Sequence, residues 1–355
     1  MESLANIASV GEFFLYAQRK KCICFGAGQK LREICREVSG FEKIIEYIVD
    51  NDPKLDKTER KIHNMTKKVF LPEKLETETI EDILLIITSS YRDEIVEQLE
   101  NNCGLRRLKY CDLSLALDNM AWGARCPKQG YRKNEDAVIP KKIHCVWFSK
   151  NPMPYQFQKN IDNWKALCSD YEICFWNEEN YDISQNPYMY NAYQNEKWSF
   201  VSDYARLDII YRNGGIYFDT DVELIRRPDE LLYNDAFIGF ERMSSVNTGA
   251  GFGARKGFPL IKEMRDFYDH IEFVNCDAPN EMILCPVYET AVLQKHGLTL
   301  DGNFQIVDGM SVYPVMYFNA KSLYSDRLKI TDKTISVHHC AWTWAGCKSK
   351  LRKEG

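Results

Sequence analysis

Lys21-Cys-Ile-Cys-Phe25 is a short apolar run that stops at Gly26-Ala-Gly28. Apolar runs of about four to eight residues bounded by glycine read as buried strands. From Leu31 to Val38 the period turns helical, Ile44 to Val49 is again strand-like and ends in Asp50, Ile83 to Ile87 is a further strand, and a helical stretch runs near Asp93 to Asn101. Strands that alternate with helices predict a parallel sheet covered by helices. This pattern occupies residues 1–120.

Residues 121–138 are polar, with glycine, proline and mixed charge, and read as a linker. Beyond them the apolar pattern resumes. Ile143 to Phe148 is a strand with its edge set by Pro140, Asn160 to Trp164 is helical, and Tyr171 to Asn177 is a second strand. Phe200 to Asn213 has helical spacing, with Ser202 as a candidate N-cap and Gly214 in the C-cap region. Ala236 to Phe240 is a strand that leads into Asn247-Thr-Gly249-Ala-Gly251-Phe-Gly253, either a glycine-rich strand or a close backbone approach to a ligand. Pro279 to Gln294 is amphipathic and helical, with Pro286 expected to interrupt it. Ile335 to Val337 is a last strand before His338-His339. The fold class is therefore α/β, with a second domain over residues 139–355.

Chemistry concentrates between Asp203 and Asp221. Side chains at i and i+2 of an extended segment point to one side, so Asp219 and Asp221 can aim at one cation. Hard divalent cations, Mn2+ or Mg2+, take such oxygen ligands and commonly share them with substrate phosphates. On the preceding helix Arg206 stands three residues after Asp203, placed either to form an ion pair or to converge with it on a ligand.

A net charge of −5 gives no reason to expect nucleic acid as a partner. Thirteen cysteines without a CxxC pair fit reduced thiols in a cytoplasmic compartment. No apolar stretch approaches the roughly eighteen residues that a membrane span needs, and the N-terminus lacks a basic region followed by an apolar core. The expected location is the cytoplasm. The basic run Lys348 to Lys353 reads as a solvated tail, with peripheral contact at the inner face of the membrane as the alternative.

Ser202-Asp203-x-x-Arg206 followed by Tyr211-x-x-Gly214-Gly215-Ile-Tyr217-x-Asp219-x-Asp221 resembles the signature of the family 32 glycosyltransferases, the DXD-containing sugar transferases of capsule and glycan synthesis. Two further stretches fit the resemblance: Ile139-Pro-Lys-Lys-Ile143-His-x-x-Trp147 near its start, and His338-His339 through Thr343-Trp344 near its end. It implies a GT-A domain that moves a hexose, with retention of configuration, from a nucleoside-diphosphate sugar to the hydroxyl of a glycan or lipid-linked glycan. A UDP-sugar is the favoured donor. Asp219 and Asp221 would hold Mn2+ or Mg2+, with His339, or else His338, completing the shell. Asp203 and Arg206 would orient the donor sugar, Asn247 would contact it, Trp147 would lie at the base, and Thr343 and Trp344 would reach the diphosphate.

Residues 1–120 fall outside the resemblance and have a Rossmann-like pattern. Gly26-x-Gly28 and Asp50 imitate a dinucleotide fingerprint, but Leu31 occupies its third glycine position. A structural or regulatory domain is the expectation there. One competing function follows from this region, an NAD(P)-dependent sugar-nucleotide oxidoreductase or epimerase; the other is a non-catalytic sugar-nucleotide-binding regulator in which the Asp219 and Asp221 pair is vestigial.

Overall fold

The computed structural model describes residues 2–3, 9–62, 64–149, 151–275 and 283–341. The chain divides into two compact units, Met1–Gly123 with Tyr324–Asp326, and Ala124–Leu323 with Arg327–Gly355. Both are α/β, the class the alternating pattern predicts.

In the first unit the strands are β1 (Glu2–Ser3), β2 (Lys21–Phe25), β3 (Ile45–Val49), β4 (Glu59–Ile62), β5 (Met65–Phe70), β6 (Ile83–Ile87) and β7 (Lys109–Cys111). Its helices are α1 (Val10–Ala17), α2 (Gln29–Glu37), α3 (Phe41–Ile44), α4 (Arg92–Glu100) and α5 (Leu113–Trp122). The sheet order is β1-β7-β6-β2-β3-β5-β4, parallel throughout except for the β4–β5 hairpin. After the short edge strand β1 the chain enters the middle of the sheet at β2, winds one way through β3 and β5, then the other way through β6 and β7. That doubly wound order explains why β6 reads Ile-Leu-Leu-Ile-Ile: a central parallel strand is covered on both faces and needs no polar side.

The second unit holds β8 (Lys142–Val146), β9 (Glu172–Trp176), β10 (Gly215–Tyr217), β11 (Val222–Leu224), β12 (Ala236–Arg242), β13 (Ser245–Ala254), β14 (Gln305–Val307), β15 (Met310–Tyr313) and β16 (Ser336–His338). Its helices are α6 (Tyr155–Leu167), α7 (Pro187–Gln194), α8 (Trp198–Asn213), α9 (Pro259–Asp266) and α10 (Cys285–Lys295). The mixed sheet runs β14-β15-β12-β13-β10-β8-β9, and β11 pairs with β16 in a separate two-stranded ribbon. Its core gathers Trp164, Ile216, Phe218, Phe237 and Phe318 around the β10–β11 connection. Residues in 124–138 are tied along this unit: Asn134 N–H bonds the Tyr233 carbonyl at 2.9 Å, Val138 N–H the Leu232 carbonyl at 2.9 Å, and Lys133 pairs with Asp235.

Two local expectations change. Ser202 is not the cap of α8, which begins four residues earlier because Phe200 and Val201 are buried and extend the packed face. Pro286 opens α10 instead of interrupting it, since proline in the first turn lacks only an N–H that would have no partner there.

The C-terminal end of α10 is held by His296, whose Nδ1 meets Asp308 at 2.6 Å and whose Nε2 meets Glu263 at 2.8 Å. These two hydrogen bonds raise its pKa above the ordinary 6.5. A raised histidine stabilises fully below its unfolded pKa and loses that contribution as pH rises through the folded one. In thermal denaturation followed from about pH 5 to about pH 9, the wild type should exceed His296→Gln at the acid end, and the gap should close at the alkaline end.

Candidate active site

Helix α8 stops at Gly214, whose φ of 68° turns the chain out of the helix while its N–H still bonds the Ile210 carbonyl at 2.8 Å. β10 then runs parallel to β8, and Phe218 N–H extends the ladder to the His144 carbonyl. Asp219 and Asp221 follow at the carboxyl end of these strands, where ligands of open α/β sheets bind. They do not share an extended segment. Val222 N–H bonds back to the Asp219 carbonyl at 3.0 Å, closing a turn, and α6 holds this turn through Asn160 Nδ2 on the Thr220 carbonyl and Trp164 Nε1 on the Val222 carbonyl.

The turn still brings the acids together. One oxygen from each of Asp219 and Asp221 and one ring nitrogen of His338 lie within 4.8 Å of one another. Antiparallel pairing of Val222 with His338 places the imidazole there, with Nε2 at 3.3 Å from Asp221 Oδ1. The sequence expectation of His339 as the ligand is corrected: the next residue along an extended chain faces the other way, and His339 bonds Glu223 at 3.0 Å.

Behind the acids sits a buried charge network. Arg206, 2% exposed, donates to Asp203 Oδ1 at 2.6 Å, to Ser202 Oγ at 2.8 Å and to the Ser202 carbonyl, and lies 3.6 Å from Asp219 Oδ2. Tyr217 donates its hydroxyl to Asp219 Oδ1 at 2.8 Å. Asn247 adjoins from β13: its Oδ1 accepts Gly249 N–H and its Nδ2 donates to Glu241. Gly249 allows a close approach, because a Cβ there would stand 2.4 Å from Asp219 Oδ2 and 2.9 Å from Arg206 Nη1 and would push these groups aside. Its carbonyl in turn accepts Asp219 N–H at 3.0 Å.

Electrostatics follow from burial and pairing. Burial pushes the Asp203 carboxyl up to about 6, against the pull of Arg206. Burial works against the charge of Arg206 too, but Asp219 and Asp203 overcome it and hold the guanidinium protonated. Asp221 is partly exposed; desolvation works against its charge too, yet His338 and the Ala341 N–H at 2.8 Å bring it down to about 2. Burial opposes a charge on His338, and Cys340 with Asp221 raises its pKa well above 6.5. Two carboxylates and an imidazole suit a divalent cation, which His338 can join only by giving up that proton.

Trp147 follows β8, one strand from Asp219, with its N–H on the Trp176 carbonyl, its Nε1 on the Asn151 carbonyl and its ring 5.7 Å from Phe157. Thr343 and Trp344 lie outside the described residues. Sequence reasoning did not single out Tyr217, Gly249, Cys285 or Glu289 as site residues. The one available signal for Glu289 was a lone acid in the otherwise uncharged run Cys285 to Gln294.

In the first unit two side chains at the strand ends bond the unit's own backbone. Asp50 Oδ2 accepts Ala27 N–H at 2.8 Å, and the Thr88 hydroxyl bonds the Phe25 and Gly26 carbonyls. The acid that would meet a ribose and an N–H that would meet a diphosphate are thereby used on each other.

Residues 154–238 match the family model described as "Glycosyltransferase sugar-binding region containing DXD motif". That segment carries Asp203, Arg206, Asp219 and Asp221. Over 135 residues the chain is 29% identical to inositol phosphoceramide mannosyltransferase 3 of Schizosaccharomyces pombe (strain 972 / ATCC 24843), a match that spans 37% of each chain. Two solved structures show a loose likeness. The PaToxG glycosyltransferase has TM-score 0.33 and 16% identity, covering 44% of this chain and 69% of its own. A glycosyltransferase involved in glycosylation of the major capsid of PBCV-1 has TM-score 0.32 and 14% identity, covering 57% and 95%. The sequence matches support a transferase.

Gly249→Ala tests the close approach at the centre. In urea denaturation it should cost about 1–3 kcal/mol by overpacking, and distinctly less in an Asp219→Ala background where the crowded carboxylate is gone. Equal costs in both backgrounds would show that the methyl does not press on Asp219.

Proposed function

We propose that this protein is a metal-dependent glycosyltransferase of the family 32 type, moving a hexose from a nucleoside-diphosphate sugar to an acceptor hydroxyl. The observation that supports it most is the convergence of Asp219, Asp221 and His338 within 4.8 Å, beside the buried Asp203–Arg206 pair, on a segment that matches a DXD sugar-binding region. Asp219, Asp221 and His338 would hold Mn2+ or Mg2+. When bound, such an ion neutralises charge on the departing diphosphate as a Lewis acid.

The chain's own groups supply the rest. Arg206 keeps its charge at any working pH and fixes Asp203 and Asp219 on either side of it, so the carboxylates are oriented before a donor arrives. Asp203 and Asn247 would address sugar hydroxyls, and Trp147 offers an aromatic face for the base. Retention of configuration by a front-face route, in which leaving group and acceptor meet on one side, accords with the family resemblance. The acceptor is a glycan or lipid-linked glycan. No helix among the described residues is long and apolar enough to cross a membrane. We place the enzyme in the cytoplasm or peripherally at the inner membrane face, with the Rossmann-like first unit in a structural or regulatory role.

The family resemblance favours a UDP-hexose, whereas the mannosyltransferase relative brings a mannosyl donor into the comparison. Donor hydrolysis across UDP-, GDP- and TDP-hexoses, with and without Mn2+ or Mg2+, separates them. One donor should turn over only with the cation, and Asp221→Asn should lose about a hundredfold or more of that rate. Binding of NAD or NADP with no binding of any sugar nucleotide would move the active centre to the first unit.

A further inference from the structure

Helix α10 presents two polar side chains, Cys285 and Glu289, to the walls of this site, and the reaction scheme above uses neither. Glu289 is 1% exposed. Its Oε2 accepts Thr248 N–H at 3.0 Å and its Oε1 is in close hydrogen-bond contact with Thr248 Oγ1. One turn earlier Cys285 is buried, and that burial together with the nearby Asp203 carboxylate pushes its thiol well up. Alternation along β13 turns Thr248 toward α10 while Asn247 and Gly249 face the acids. Glu289 therefore grips the strand from behind at Thr248, between Asn247 and the Gly249 that meets Asp219.

We propose that Glu289 is a positioning residue: through Thr248 it sets the strand segment whose Gly249 carbonyl orients Asp219 and whose Asn247 carboxamide flanks the same pocket. The inference rests on the metal-site reading of Asp219 and Asp221. Burying a carboxyl with a hydroxyl and an N–H as its partners is costly for mere packing, where a leucine of similar volume would serve. Burial pushes the Glu289 carboxyl up to about 7, while the Thr248 hydroxyl and N–H both donate to it and pull the other way. Groups that orient ligands from behind typically contribute about ten- to a hundredfold in affinity or activity.

The test is a calorimetric titration of Mn2+ alone into the full chain, for wild type, Glu289→Gln, Glu289→Leu, Thr248→Val and the Glu289→Leu/Thr248→Val pair, with donor KM and kcat recorded alongside. Each of the Leu and Val variants should bind Mn2+ about tenfold more weakly at a temperature where it is fully folded, and the pair should be no weaker than the worse single. Glu289→Gln keeps a donor and an acceptor for Thr248 and should restore most of the affinity lost in Glu289→Leu. If Glu289→Leu does not fold, Thr248→Val decides alone. Wild-type Mn2+ affinity in folded Glu289→Leu or Thr248→Val, or full additivity in the pair, overturns the inference while leaving the metal site standing. Failure of the wild type to bind Mn2+ or Mg2+ is a different result, one that removes the site itself and the inference with it.

Discussion

A buried guanidinium is the constraint on which the second unit depends. Arg206 is almost fully removed from water, and a charge in that position is tolerated only when carboxylates and hydrogen-bond acceptors surround it. Asp203 supplies one from the same helix, the Ser202 hydroxyl and carbonyl supply others, and Asp219 supplies the last from the far side of the sheet edge. The Tyr217 ring lies against the guanidinium at 5.4 Å. The ion pair therefore fastens α8 to the turn after β10, and the acid proposed to face a cation is also the acid that compensates a buried charge.

The rest of the site follows from fitting this cluster between elements. β13 passes so close that a Cβ at Gly249 would press on Asp219 and Arg206, and the same residue lends its carbonyl to Asp219. β16 reaches the other acid through register alone: pairing with β11 sets His338 against Asp221 and leaves His339 outside. His144, although beside this edge, is spent on structure. Burial lowers it to about 4, and its ring spans the Gly214 carbonyl and Trp176 Nε1. It stays neutral, joining β8 to β9 and to the helix end that precedes the acids.

The first unit shows how a similar plan can lead elsewhere. Its sheet is doubly wound and the central strand β2 ends in a glycine turn, as in dinucleotide-binding domains. Yet Asp50 bonds the turn's own backbone and Thr88 closes the switch point between β2 and β6. The carboxylate of Asp50 and the hydroxyl of Thr88 are thereby satisfied within the unit, which stabilises these loops.

The linear chain determined a good deal by itself. The α/β alternation, the glycine-terminated helix before the acids, the Asp203–Arg206 spacing and the paired Asp219 and Asp221 are all local, set by periodicity and by residue types a few positions apart. What only the tertiary structure decided are the contacts that join distant segments. His338 in place of His339 depends on strand register, and one residue of slip would exchange them. The acids meet in a turn because α6, some sixty residues earlier, holds two of its carbonyls. Glu289 and Gly249 lie beyond the motif and are drawn to it by burial, since a long-range contact leaves no period in the sequence to be read.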